Sequence, residues 1–215
     1  MKGGYLKEPV ARAILKQMVF GLAAMAEKKV IHRDFKLANI LINFPTLKRV
    51  DYMASDFNLK EFVKNVLVDG ADGINKLNPA VPMEIKIADM GFAKKLEDDQ
   101  LAQTSLGTPL NMAPEVLFHK KYDTKADVWS LGCVFYEMLT GFTPFTGVSK
   151  QNLAENVQTG EYFIPKTVKL SLQGLDFLNS CLKFDSAERL SMMELLQHPY
   201  ISMDEQLEAA GDISE

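Results

Sequence analysis

Cysteine, histidine and tryptophan are scarce in this sequence: two, three and one among 215 residues. Cys133 and Cys181 sit in apolar, helix-patterned stretches with no second cysteine or histidine at metal-ligand spacing, which argues against a zinc site and for buried, reduced thiols. His32, His119 and His198 are too scattered to suggest a metal centre of their own. Positive charge is not in excess: 24 Lys and Arg against 28 Asp and Glu give a net charge of -4, so the basic stripe that a phosphate backbone requires is missing and nucleic acid is not an expected partner. No apolar run reads as a membrane span, and Met1-Lys2-Gly3-Gly4-Tyr5-Leu6-Lys7-Glu8 has no signal-like hydrophobic core. The expectation is a cytoplasmic protein without a membrane span. What is abundant is core material: 47% hydrophobic residues suffice for one or at most two packed domains.

Against this plain background one run stands out, Ile31-His32-Arg33-Asp34-Phe35-Lys36-Leu37-Ala38-Asn39. It combines an acid, a lysine and an amide at the spacing H-R-D-x-K-x-x-N, and five specified letters recur by chance at about one position in three million. Further on come Asp89-Met90-Gly91, Gly107-Thr108-Pro109, Ala113-Pro114-Glu115, Asp127-Val128-Trp129-Ser130-Leu131-Gly132 and Arg189, in that order. The series resembles the second half of a eukaryotic protein kinase of the serine/threonine type. Lys86-Ile87-Ala88-Asp89-Met90-Gly91-Phe92-Ala93-Lys94 and Tyr122-Asp123-Thr124-Lys125-Ala126-Asp127-Val128-Trp129-Ser130 are similar to the unc-51-like, autophagy-initiating kinases.

The resemblance implies a role for each residue. Phosphoryl transfer needs alignment of a hydroxyl with the γ-phosphorus and neutralisation of spread charge. Asp34 would orient or accept the hydroxyl proton, Lys36 would face the transferring phosphate, and Thr108 would bond to both of them. Asn39 and Asp89 would offer hard oxygens to Mg²⁺ beside ATP, and Leu41 would lie beneath the adenine ring. Arg33 would pair with a phosphorylated activation segment, for which Thr104 and Ser105 are the nearest hydroxyls; equally, they read as two ordinary polar loop residues. Structural roles are implied for His32 with Met90 in an apolar stack, for Glu115 with Arg189 as a buried ion pair, and for Asp127 as an acceptor of catalytic-loop amides. Two positions depart from the family: Met90 stands for a phenylalanine and Asn111 for an aromatic residue.

The expected fold is mainly α: a kinase-like C-terminal lobe, a helical bundle with a small β hairpin carrying the catalytic and metal-binding loops. No G-x-G-x-x-G loop or strand lysine precedes His32, so the N-terminal β lobe is expected to be absent. Domain limits of 1–201 for the lobe and 202–215 for a tail are expected. A proline in the first turn and an apolar stripe from Val10 to Met25 predict a helix from Glu8 to about Lys28. Residues 39–43 and 85–88 pair as strands, and helices are predicted over 126–140, 151–159, 170–182 and 191–198. Between them, 44–84 is an insertion of about forty residues, long for any loop. Leu59, Phe62, Val63, Val66 and Leu67 give it helical spacing.

The implied function is transfer of the ATP γ-phosphate to serine or threonine of a protein substrate, with a regulatory protein partner for the insertion as a lesser expectation. Two readings compete with it. One is an inactive, one-lobe pseudokinase that binds regulators; the other is a helical interaction module centred on the insertion.

Overall fold

The computed structural model of the chain describes residues 5–46, 66–69, 75–96 and 109–202. Helix α1, Glu8–Glu27, carries Pro9 in its first turn and buries Val10, Ile14, Leu15, Met18, Val19 and Leu22. Each such side chain contributes roughly 1.5–3 kcal/mol on leaving water. By length and composition alone α1 is apolar enough to cross a membrane, a test that a buried core helix also passes. Half of that window is buried inside the protein.

The centre of the lobe is α3, Lys125–Thr140, of which almost every residue is buried. Around it lie α2 (Pro114–Leu117), α4 (Lys150–Thr159), α5 (Leu172–Cys181), α6 (Met192–Gln197) and α7 (Pro199–Ser202). Helix α1 packs against α3 and α6, and α3 against α5. Gly132 allows the last contact: a Cβ there would lie 2.7 Å from Cys181 Cβ and 2.9 Å from Leu182 Cδ2. Trp129 stacks on Phe145 at 5.3 Å, and Phe135 meets Phe177 edge-on at 5.8 Å. Ser149, Ser171 and Ser191 cap the N-termini of α4, α5 and α6, the last as a capping box with Glu194. Glu8 fastens three helices, accepting from Ser171 N and Oγ and from the Tyr200 hydroxyl.

The described strands form three two-stranded antiparallel ladders. Strand β1 (Val30–Ile31) pairs with β6 (Lys94–Lys95), and β2 (Ile40–Asn43) with β5 (Glu84–Ile87). The β2–β5 hairpin is the one the sequence predicts; β1–β6 is too short to leave a period-2 signature. The third ladder, β3 (Leu67–Asp69) with β4 (Asn75–Leu77), lies within the insertion. It corrects the helical reading of Leu67, which pairs with Leu77 and packs against the core. Val66 itself is helical, the strand begins at Leu67, and its partner β4 packs against α1. Leu59, Phe62 and Val63 lie outside the described residues. Two side-chain bonds seat the far end of the insertion on α1: Gln17 donates to Met83 O at 2.9 Å and accepts from Ile85 N at 2.9 Å.

Candidate active site

The loop from His32 to Asn39 begins where β1 ends and finishes where β2 starts, so both of its ends are tied to ladders. Its first half hangs from α3. Asp127, in the first turn of that helix, accepts the backbone N–H of His32 on Oδ2 at 2.7 Å and that of Arg33 on Oδ1 at 3.1 Å. Two amides on one carboxylate hold Arg33 at a φ of 69°, a left-handed conformation rarely adopted by such a side chain. Complete burial pushes the Asp127 carboxyl up to about 6, against the opposing pull of the two amides.

His32 is fully buried and meets Phe35 edge-on at 5.8 Å. Its Nδ1 accepts the backbone N–H of Asp34 at 3.3 Å, which leaves Nε2 to donate to the carbonyl of Ala88 at 3.0 Å. The ring thus joins the catalytic loop to the residue just before Asp89. A second link runs parallel to it: Ala88 N donates to Asn39 O at 2.8 Å, continuing the register in which Ile40 faces Ile87. Asn39 and Asp89 therefore leave the same end of one hairpin side by side.

Asp34 is 5% exposed, with Lys36 Nζ donating to its Oδ2 at 2.6 Å. Asn39 Nδ2 donates to the Asp34 carbonyl at 2.8 Å and lies 3.4 Å from Oδ2. With its nitrogen occupied in this way, the Asn39 side chain keeps its carbonyl oxygen as a hard donor. Asp89 is exposed, in the left-handed region at φ 60° and ψ 65°. A Cβ on Gly91 would lie 3.3 Å from Asp89 Oδ1, so the glycine keeps that carboxylate clear. One carboxylate and one amide oxygen are a sparse protein donor set, and no cluster of three His, Cys, Asp or Glu occurs among the described residues. That fits Mg²⁺, which keeps waters and substrate phosphates in its shell.

The remaining residues singled out in the sequence fall as follows. Glu115 and Arg189 form a bidentate, buried pair at 2.8 and 3.0 Å, and Arg189 also donates to the carbonyls of Lys125 and Lys183 and lies 5.3 Å over the Trp129 ring. Leu41 is 54% exposed, on the face of the β2–β5 hairpin opposite Ile42 and Ile85. Met90, on a short 3-10 turn, is 46% exposed, whereas His32 is fully buried. The Arg33 guanidinium donates to Phe92 O and bonds to the Tyr122 hydroxyl, whose pKa burial raises and Arg33 pulls back. Thr104, Ser105 and Thr108 lie outside the described residues.

Sequence reasoning missed three contributors. Ala88 and Phe92 act through backbone carbonyls, which no side-chain motif records. Tyr122 was visible only as part of a family-like run, with nothing to say that it faces Arg33.

The protein kinase domain family model matches residues 1–201. Serine/threonine-protein kinase ATG1c of Arabidopsis thaliana is 33% identical over 201 residues, covering 93% of this chain and 23% of that protein. Serine/threonine-protein kinase atg1 of Aspergillus fumigatus is 35% identical over 207 residues, 93% of this chain and 20% of that protein. ATG1 of Chaetomium globosum is 35% identical over 201 residues, with 92% and 20% covered. The chain thus spans about a quarter or less of the length of these relatives. With a family match over residues 1–201, the chain belongs to the protein kinase domain family.

Proposed function

We propose that this chain is the catalytic C-terminal lobe of an ATP-dependent serine/threonine protein kinase, acting in autophagy-type signalling as its ATG1-named relatives suggest. The observation that carries the reading is the contact of buried Asp34 with Lys36 at 2.6 Å, on a loop that ends at Asn39 beside Asp89. Asp34 orients the substrate hydroxyl and takes its proton as the bond to phosphorus forms. Lys36, already on Asp34 Oδ2, neutralises charge on the phosphoryl oxygens between the two groups. Asn39 Oδ1 and the Asp89 carboxylate are the residues that would hold Mg²⁺, which when bound supplies electrostatic stabilisation of the phosphates. Leu41, on the exposed hairpin face, would lie under the base of ATP.

Lys36 favours serine and threonine over tyrosine as acceptor. Residues 1–201 would form the lobe, with 44–84 inserted and 202–215 a tail. Protein substrates, a regulatory partner and a cytoplasmic site of action complete the reading; the two buried, free thiols accord with a reducing compartment. Thr108 would bridge Asp34 and Lys36, and Arg33 would release Phe92 O to meet a phosphate on Thr104 or Ser105.

The test is ATP-dependent labelling of a generic protein substrate by the intact gene product, with Asp34→Asn and Asp89→Asn versions beside it and phosphoamino-acid analysis of the product. Label on serine or threonine, lost in both variants, supports the kinase. An intact, folded gene product that neither binds Mg²⁺-ATP nor transfers phosphate would favour the pseudokinase reading.

A further inference from the structure

The place of Asp89 beside Asn39 depends on the register of β2 against β5, in which Ile40 faces Ile87 and Asn43 faces Glu84. In a hairpin a tight turn ordinarily sets that register. Here residues 44–83 stand between the two strands, so no two-residue turn can do so. The hydrophobic pattern discriminates little: Ile40, Leu41 and Ile42 put apolar residues on both faces, and a slip of one residue would exchange one for another. A side-chain bond across the open end, Asn43 Nδ2 donating to Glu84 Oε2 at 3.0 Å, is exposed to competing water. The catalytic loop fixes where β2 starts; β5 needs an anchor of its own.

That anchor is on α1. Ala88 N donates to Asn39 O at 2.8 Å, and the alternation of an antiparallel ladder then turns the amides of Lys86 and Glu84 towards β2 and that of Ile85 away from it. On the far side Gln17 supplies what a third strand would: Oε1 accepts from Ile85 N at 2.9 Å, and Nε2 donates to Met83 O at 2.9 Å. A slip of β5 by one residue would turn its N–H and C=O groups to the opposite edge and break both bonds. One turn along the helix, Gly21 brings α1 down on Ile87, whose Cδ1 would lie 2.8 Å from a Cβ there. Helix and strand are thus matched at residues 83, 85 and 87, and Asp89 is the next in that series.

We propose that Gln17 is a positioning residue for the metal site: it sets the register of β5 and, through it, the placement of Asp89 beside Asn39. The inference deepens the kinase reading and rests on it, because those two residues are the ones that would hold Mg²⁺. Gln17 acts through the backbone of Met83 and Ile85 and not through the reacting atoms. A side chain of the same length without hydrogen-bonding groups would leave a half-buried N–H and C=O without their partner and free β5 to shift against β2, separating the two oxygen donors.

The test uses the intact gene product with Gln17→Met, which keeps side-chain length and helix propensity and removes both bonds. Affinity for Mn²⁺ in the presence of ATP, read from the electron paramagnetic resonance signal of the free ion, is expected to fall about tenfold. Gln17→Glu, which keeps the acceptor for Ile85 N and gives up the donor to Met83 O, should fall between the two and serves if Gln17→Met does not fold. Rescue separates positioning from stability. Ile42 and Ile85 face each other as a pair without mutual hydrogen bonds, whose short Cα separation suits a disulfide. Ile42→Cys with Ile85→Cys, oxidised by diamide, pins the register covalently and should restore Mn²⁺ affinity to Gln17→Met; reduction should remove it again. Affinity unchanged by Gln17→Met, or a loss that the oxidised pair does not recover, would overturn the proposal. Cross-linking yield keeps the two readings apart. A wild-type protein that binds no Mn²⁺-ATP would count against the kinase reading, and the register claim would still be decided: a lower disulfide yield with Gln17→Met supports it, and an equal yield overturns it.

Discussion

The carboxylate of Asp127 accepts the backbone N–H of His32 at 2.7 Å although 95 residues separate the two in sequence. A helix in the middle of the core thus sets the shape of a loop at its surface. Loss of that acceptor strands two buried amides, so the position links folding to the geometry of Asp34.

Substitution of Asp127 by Asn is expected to cost about 1–3 kcal/mol at neutral pH, because the amide accepts one N–H and turns its own donors towards the other. The pH dependence has a definite sign. Burial raises the folded carboxyl to about 6 from an ordinary 3.8, so the native state holds this proton more tightly than the unfolded one. Its contribution to stability is full below 3.8 and is lost as pH rises through 6. The gap in unfolding free energy between wild type and Asp127→Asn, followed by urea titration, should therefore be widest in acid and narrow towards neutrality. A gap constant with pH would contradict the raised value.

If the proposed roles hold, with both groups acting on the transferring phosphoryl group and not on the base, Asp34→Asn and Lys36→Met are expected to lower kcat by about 10²–10⁴-fold with little change in KM for ATP. Steady-state kinetics on the intact gene product checks this. A variant whose loss falls entirely on KM would assign Lys36 to ground-state binding instead.

Arg189 and Glu115 are both buried, and removing either partner leaves a charge with no counter-ion. Glu115→Gln is expected to cost about 3–5 kcal/mol in unfolding free energy. Arg189→Lys should be nearly as damaging, because an ammonium cannot bond both carboxylate oxygens and the Lys125 and Lys183 carbonyls together. Thermal unfolding of the two single variants and of Glu115→Leu with Arg189→Met measures the coupling. Partial recovery in the double variant is expected; a strictly additive loss would deny that the pair is energetically linked.

Asn111 is 6% exposed, and its Nδ2 has no hydrogen-bond partner among the described residues. Its backbone carbonyl, by contrast, is bound by Ser130 Oγ at 2.7 Å. Replacing the side chain with Leu, of similar volume, removes a desolvated donor and is expected to raise stability by about 1 kcal/mol. A fall in the denaturation midpoint would show that the amide has a function that its stability cost conceals.

What could be read from the sequence was local. The acid, lysine and amide of residues 34, 36 and 39 were legible because their roles depend on spacing along one loop. The long helices were legible because an apolar stripe or a terminal serine or glycine marks them, with boundaries off by a residue or two: α3 begins at Lys125 and α4 at Lys150. The insertion was not. Leu67 has the right spacing for a helix and lies in a strand, since Leu77 faces it across a hairpin and both rest on the core.

The amino-acid sequence by itself determined the chemistry available: which acid, which cation, which oxygen donors, and the family to which they belong. The tertiary structure alone decided how they meet. Asn39 stands beside Asp89 because Ile40 pairs with Ile87, and the loop keeps its bend because Asp127 reaches it from α3. The physical reason is the same throughout: backbone periodicity is written over a few neighbouring residues, whereas a hydrogen bond between distant positions depends on the packing of everything between them.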